Sequence, residues 1–113
     1  MLADILVLKS VYAIRIYELL REGFRGQKVY ADNCAIVTLD VDTIRKATST
    51  EDKYSQMGHF KVKVIDIAVR EINDKLGYYV TYEDVKRSRK IVGFKFRIES
   101  KNNIFGELSN ENY

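Results

Sequence analysis

Apolar positions along the chain fall into two periods. Ala13, Ile16, Tyr17 and Leu20 sit at i, i+3, i+4 and i+7, one face of a helix, and Ser10 is a suitable N-cap. Gly23 is placed to end that helix in a left-handed conformation. Phe24–Ala35 carries Gly, Gln, Lys, Asp and Asn and reads as a loop, and Ile36–Leu39 is a short run suited to one strand. Asp40 then caps a second, short helix with Val41, Ile44 and Ala47 inward. The polar run after Ala47 breaks that pattern. A third helix starts near Gly58 and runs to about Lys75, with Gly77 as its stop. Its expected buried stripe is Phe60, Val64, Ile67, Ala68 and Ile72. His59, Lys63, Asp66, Arg70 and Asn73 form one continuous polar face.

The last third changes to a period of two. Tyr78–Val85 places Tyr78, Val80 and Tyr82 on one side. In Ile91–Glu99, Val92, Phe94, Phe96 and Ile98 point in, while Gly93, Lys95, Arg97 and Glu99 point out. Lys86-Arg87-Ser88-Arg89-Lys90 lies between them as a basic tip. The order of elements predicts an α+β winged helix: a helix-turn-helix followed by a β-hairpin wing. Residues 1–100 form the expected domain and 101–113 a flexible tail, because Lys101–Tyr113 is dominated by Asn, Ser and Glu.

Composition narrows the class. The 113 residues suffice for one domain, and 46% hydrophobic with 31% charged residues is globular composition. The single Cys34 has no internal disulfide partner and fits a reducing compartment. No stretch approaches a membrane span, and the apolar opening MLADILVL lacks the basic lead of a signal peptide. A cytoplasmic bacterial location, with no membrane partner, is the expectation.

The net charge of +3 conceals an asymmetry. Residues 59–97 hold ten of the 19 Lys/Arg and five of the 16 Asp/Glu. That half is basic and the remainder mildly acidic. A basic half suits a polyanion; it also suits an ordinary solvated face. Two features favour nucleic acid. A recognition helix packs one face and offers donors to base edges from the other. Here His59, Lys61, Val62, Lys63, Asp66 and Arg70 are the candidates: Lys63 for a guanine edge, His59 for a base or phosphate, Val62 for a thymine methyl. At the wing, Lys86, Arg87, Arg89 and Lys90 repel one another unless they meet phosphates or a minor groove; the plain alternative is a basic turn that keeps the edge soluble.

Catalytic constellations are weak. His59 has no second His or Cys at ligand spacing, Cys34 sits in the expected loop without a base, and there is no glycine-rich phosphate loop. Helix capping accounts for Asp40 and first-turn preference for Asp42. Tyr78, Tyr79 and Tyr82 read as strand packing before base stacking. The chain is therefore read as no enzyme, with no cofactor and no metal.

Leu8-Lys9-Ser10-Val11-Tyr12-Ala13, Arg15 and Tyr17-Glu18-Leu19-Leu20 resemble a helix motif of plasmid replication initiators of the Rep_3 type. Lys53-Tyr54, Phe60-Lys61-Val62-Lys63-Val64-Ile65, Ala68 and Glu71-Ile72-Asn73 resemble a second motif. Val80-Thr81-Tyr82-Glu83 and Arg89-Lys90-Ile91-Val92-Gly93-Phe94-Lys95-Phe96 resemble the family's wing. The resemblance covers roughly residues 8–98. It implies the second, C-terminal winged-helix domain of such an initiator. That domain binds the direct repeats (iterons) of a plasmid origin as double-stranded DNA, with copy control, host replication proteins as possible partners and a homodimer in the full-length protein. It places Lys61 and Lys63 on the recognition helix and Arg89 and Lys90 on the wing. Val62 stands where the family often has Arg, Ser88 stands where it often has Gly, and the family's first winged helix has no counterpart here. The chain is thus an excised domain or a short relative. A repressor reading an operator, or a winged helix used for protein contacts, remains the alternative from the residues themselves.

Overall fold

The computed structural model describes residues 8–24 and 34–100. The apolar opening before Leu8, most of the expected Phe24–Ala35 loop and the tail Lys101–Tyr113 lie outside the described residues. Three helices pack on one face of a three-stranded antiparallel sheet. In chain order they are α1 (Val11–Phe24), β1 (Cys34–Asp40), α2 (Val41–Thr48), α3 (residues 57–75), β2 (Tyr78–Arg87) and β3 (Lys90–Ser100). The sheet order is β1-β3-β2, so β3 is central and the wing hairpin β2–β3 forms one side.

The first two helices begin where the sequence can satisfy free N–H groups. Ser10 Oγ accepts from Ala13 N at 3.3 Å, and Asp40 Oδ1 accepts from Thr43 N at 3.0 Å. The Thr43 bonds hold the Asp40 carboxyl below its usual pKa. Ala13, Ile16, Tyr17 and Leu20 are buried as their spacing predicts, and Ile44 is buried on α2. The core closes over Phe60, Phe94 and Phe96, all at 0% exposure. Phe94 also meets Tyr82 edge-on, with centroids 5.5 Å apart.

Several expectations are corrected. Gly23 does not stop α1: it lies inside the helix. A Cβ there would come within 2.5 Å of the Val37 side chain, so close approach of β1 is what the glycine permits. Cys34 is not in a loop but is the buried first residue of β1. The wing strands run further than expected, leaving only Ser88 and Arg89 as the turn; Arg87 pairs with Lys90. The register shifts between Val85 and Lys86, which pair with Gly93 and Ile91, and Val92 is the bulged residue between. The bulge moves the alternation by one place, so Ile91 rather than Val92 packs against the core. Gly93, expected to point to solvent, is buried: a Cβ would lie 2.7 Å from the Leu39 carbonyl oxygen, where β1 crosses close to β3.

The largest correction is in α3. It consists of an α-helical turn Met57–Phe60, a wider π-helical turn Lys61–Asp66 and an α-helical segment Ile67–Lys75. Val62, Val64, Ile65 and Ile67 make this stretch dense in β-branched residues, which crowd the preceding turn of a helix. In a π turn the chain advances by more residues per revolution, so side chains five apart come into line. Phe60 and Ile65 are brought together inward, both at 0% exposure, and Ile67 is turned out to 38%. The buried stripe is therefore Phe60, Val64, Ile65, Ala68 and Ile72; a uniform 3.6-residue reading put Ile67 in the place of Ile65.

Candidate nucleic-acid interface

The turn between α2 and α3 is the first requirement of the interface, because it sets the angle of α3. Ser49 and Tyr54 both have left-handed backbones, φ 57° and 53°, unusual for residues other than glycine. Arg45 holds them. Its guanidinium donates to the carbonyls of Thr50 and Lys53, each at 2.8 Å, and of Tyr54 at 2.9 Å. The same group lies 4.2 Å from the centroid of Phe60. Beneath it, Thr48 and Thr50 are buried and share a 2.9 Å hydroxyl contact, and Thr48 also donates to Ile44 O. Three of the fixed carbonyls thus precede the first residue of α3.

Two further contacts fix α3 against its neighbours. Glu71 reaches across to α1 and accepts from the backbone N–H groups of Lys9 at 2.9 Å and Ser10 at 3.0 Å. Partial burial pushes its carboxyl up, but these donors and Lys75 at 3.7 Å outweigh that and leave its pKa below the usual value. Asn73 pairs with the edge of β2 as another strand would: Nδ2 donates to Val80 O at 3.0 Å and Oδ1 accepts from Val80 N at 2.6 Å. The sequence Glu71-Ile72-Asn73 is therefore a cap, a core residue and a strand clamp in succession.

The expected polar face of α3 divides into two rows. On the side towards the wing, Lys61 forms a 3.1 Å ion pair with Asp84 of β2, and Asp66 accepts from the Tyr82 hydroxyl at 2.6 Å. Burial and the adjacent Asp66 and Asp84 raise the Tyr82 pKa, so the phenol stays a donor. Lys61, Asp66 and Asn73 are thus joined to the wing strand. On the other side His59, Val62, Lys63 and Arg70 are exposed. Among the described residues, His59, Lys63 and Arg70 carry no ion pair or side-chain hydrogen bond.

At the wing, Lys86, Arg87, Arg89 and Lys90 are all exposed. Ser88 has φ 58°, a left-handed position in the two-residue turn. That conformation is the physical reason a glycine suits this place. A cleft of about 520 Å³ separates the tip end of the wing from the start of α2, with Asp40 and Asp42 on one side and Arg87 and Lys90 on the other. Among the described residues no cluster of His, Cys, Asp and Glu could hold a metal ion, and no helix is long and apolar enough to cross a membrane.

Sequence reasoning missed Arg45, Glu71, Asn73 and Asp84 as the residues that hold the interface in shape. Only the resemblance of Glu71-Ile72-Asn73 to a family motif marked two of them in advance.

A helix-turn-helix, a π-widened third helix with one free cationic row, and a cationic two-stranded wing define a winged-helix protein. The sequence model described as "Initiator Rep protein, WH2" matches residues 40–98, and the chain belongs to that family. Its fold is similar to that of the Pi initiator protein, solved in complex with iteron DNA: TM-score 0.75 at 24% identity, covering 88% of this chain and 42% of that one. The chain spans less than half the length of that protein. No curated protein matches the sequence.

Proposed function

We propose that the chain binds double-stranded DNA at the iteron repeats of a plasmid origin and so takes part in the initiation of plasmid replication. The observation that carries this reading is the outward row of α3: His59, Lys63 and Arg70 are exposed and have no internal partner among the described residues, while Asp66, Asp84 and Glu71 are engaged elsewhere. Lys63 and Arg70, cations left free on a positioned helix, gain most against phosphates and guanine edges. The wing cations Lys86, Arg87, Arg89 and Lys90 add phosphate contacts or reach a minor groove. Membership of the initiator family and the fold shared with an iteron-bound initiator support the choice of origin DNA.

Residues 1–100 act as the DNA-binding unit and 101–113 as an appended tail, in the cytoplasm of a bacterium. The role is assembly: positioning DNA, and host replication proteins upon it, without covalent chemistry. Dimerisation belongs to the full-length initiator. Lys61 and Asp66 serve this function by holding helix to wing; His59, Val62, Lys63 and Arg70 meet the DNA.

The test is a fluorescence-anisotropy titration of origin repeats and a scrambled duplex over a salt series. Specific binding about 10³-fold tighter than to the scramble, falling steeply with salt, is the expected result. Equal, weak binding of both duplexes would defeat the reading.

A further inference from the structure

The two edges of the sheet are built differently. On β2, Asn73 bonds both the N–H and the C=O of Val80, and the ladder is interrupted between Val85 and Lys86. Glu83, Asp84, Lys86 and Arg87 also put charges along that strand. Such features keep an edge from pairing with another chain. β1 has none of them. Its seven residues, Cys34–Asp40, run in unbroken register against β3. Before Asp40 they include no charge, proline or glycine, and Ile36, Val37 and Thr38 are β-branched.

The Asn73 clamp also fixes which β1 groups are free. Val80 turns its N–H and C=O away from β3, so its partner Ile98 turns its own the other way, towards Ala35 of β1. By alternation Ala35, Val37 and Leu39 bond to β3, while Ile36 and Thr38 direct their N–H and C=O out of the sheet. Among the described residues no other backbone group meets these. Val37, between them, points into the core, and Ile36 lies on the opposite sheet face beside Thr81, Lys95 and Arg97. Cys34 has a contact of its own, and Asp40 is the cap of α2.

We propose that β1 pairs antiparallel with β1 of a second copy of the chain, joining two three-stranded sheets into one. A two-fold axis at Val37 sets Ile36 of each copy opposite Thr38 of the other. Each such pair exchanges an N–H···O=C bond in both directions, so every free group of both residues is satisfied in both copies. The strand is its own complement in this register. The uncharged run from Cys34 to Leu39 sets no like charges against each other across the axis, and it offers no countercharge to an acidic or basic peptide. Arg87 and Lys90 lie beyond the last β1 pair, Asp40 with Gly93, so the wing tip stays uncovered. The contact is separate from the dimer of the full-length initiator and does not depend on the DNA-binding reading. Its small size makes it weak and concentration-dependent.

Amide hydrogen exchange of the full chain, read residue by residue by NMR at rising protein concentration, tests both the contact and its register. Ala35, Val37 and Leu39 should be protected throughout, because β3 holds them. Ile36 and Thr38 should exchange about fourfold more slowly after a roughly hundredfold rise in concentration. Sedimentation equilibrium should show the average mass rising towards that of two chains over the same range. Thr38→Pro removes one outward N–H and no bond to β3, so it should abolish both effects while the unfolding midpoint stays close to that of the parent. If that variant unfolds, Thr38→Lys decides the matter: it keeps the backbone and sets a cation beside the axis in each copy, and it should weaken both effects. Fast exchange of Ile36 and Thr38 at every concentration would overturn the inference and leave the edge to an extended segment of another protein. Slow exchange that does not vary with concentration would overturn it too, by showing that the edge is covered within one chain. So would association that persists in a folded Thr38 variant, since the contact would then lie elsewhere.

Discussion

The two long rows of α3 have similar chemistry and opposite employment. Lys61, Asp66 and Asn73 form the row towards the wing, and each is bonded to β2: to Asp84, to the Tyr82 hydroxyl and to the Val80 backbone. His59, Lys63 and Arg70 form the outward row and are bonded to nothing among the described residues. A polar side chain bonded inside the fold contributes to the position of the helix. One left in solvent contributes nothing to stability and is available to a ligand. The difference shows that a polar helix face is not evidence of an interface until its internal bonds have been subtracted.

The comparison can be broken most sharply at Asn73. Asn73→Ala removes both bonds to Val80 and leaves a backbone N–H and C=O without their partner, at a cost of about 2–3 kcal/mol. Chemical denaturation should show a lower midpoint with little change of slope, while the fraction that remains folded binds DNA with unchanged salt dependence. A loss of DNA affinity without loss of stability would place Asn73 in the wrong row.

Lys63→Ala should do the converse. Unfolding should be within about 0.5 kcal/mol of the parent. DNA affinity should fall about five- to tenfold, and the slope of log affinity against log salt should decrease by about one. A large stability change and an unaltered slope would show that Lys63 is structural.

Glu71 sharpens the comparison through pH. Its carboxyl has a folded-state pKa below the ordinary 4.5 because of the N–H donors of Lys9 and Ser10. A depressed carboxylate contributes stability that is fully present above pH 4.5 and is lost as pH falls through the lower, folded-state value. Glu71→Gln should lower stability at neutral pH by about 1 kcal/mol. It should also flatten the decline below pH 4.5 in thermal melts taken across that range. Equal acid sensitivity in both proteins would remove Glu71 from the account.

The smallest effect is expected at the wing turn. Ser88 holds φ 58°, which glycine adopts without steric cost. Ser88→Gly should therefore stabilise the hairpin by up to about 1 kcal/mol, read as a rise in unfolding midpoint with DNA affinity unchanged. A lower midpoint would mean that the serine hydroxyl supports the turn.

Local sequence by itself determined the order of elements, the α1 face, the Asp40 cap and the inward run Phe94, Phe96 and Ile98, and its motifs carried the resemblance to the family. These depend on the nearest turns and strands, which repeat every 3.6 or two residues, so local sequence contains them. The tertiary structure alone decided which side of α3 is free. Lys61 lies 23 residues from Asp84, Asp66 lies 16 from Tyr82, and Glu71 lies 61 from Ser10. No local pattern records such pairings. The same holds for two departures from regular period, the π turn at Lys61–Asp66 and the bulge at Val92. Each shifts the alternation by one residue, exchanging Ile67 for Ile65 and Val92 for Ile91. A helix or strand accepts such a shift when the core it packs against is better filled by it, and the shape of that core exists only once the distant elements have met.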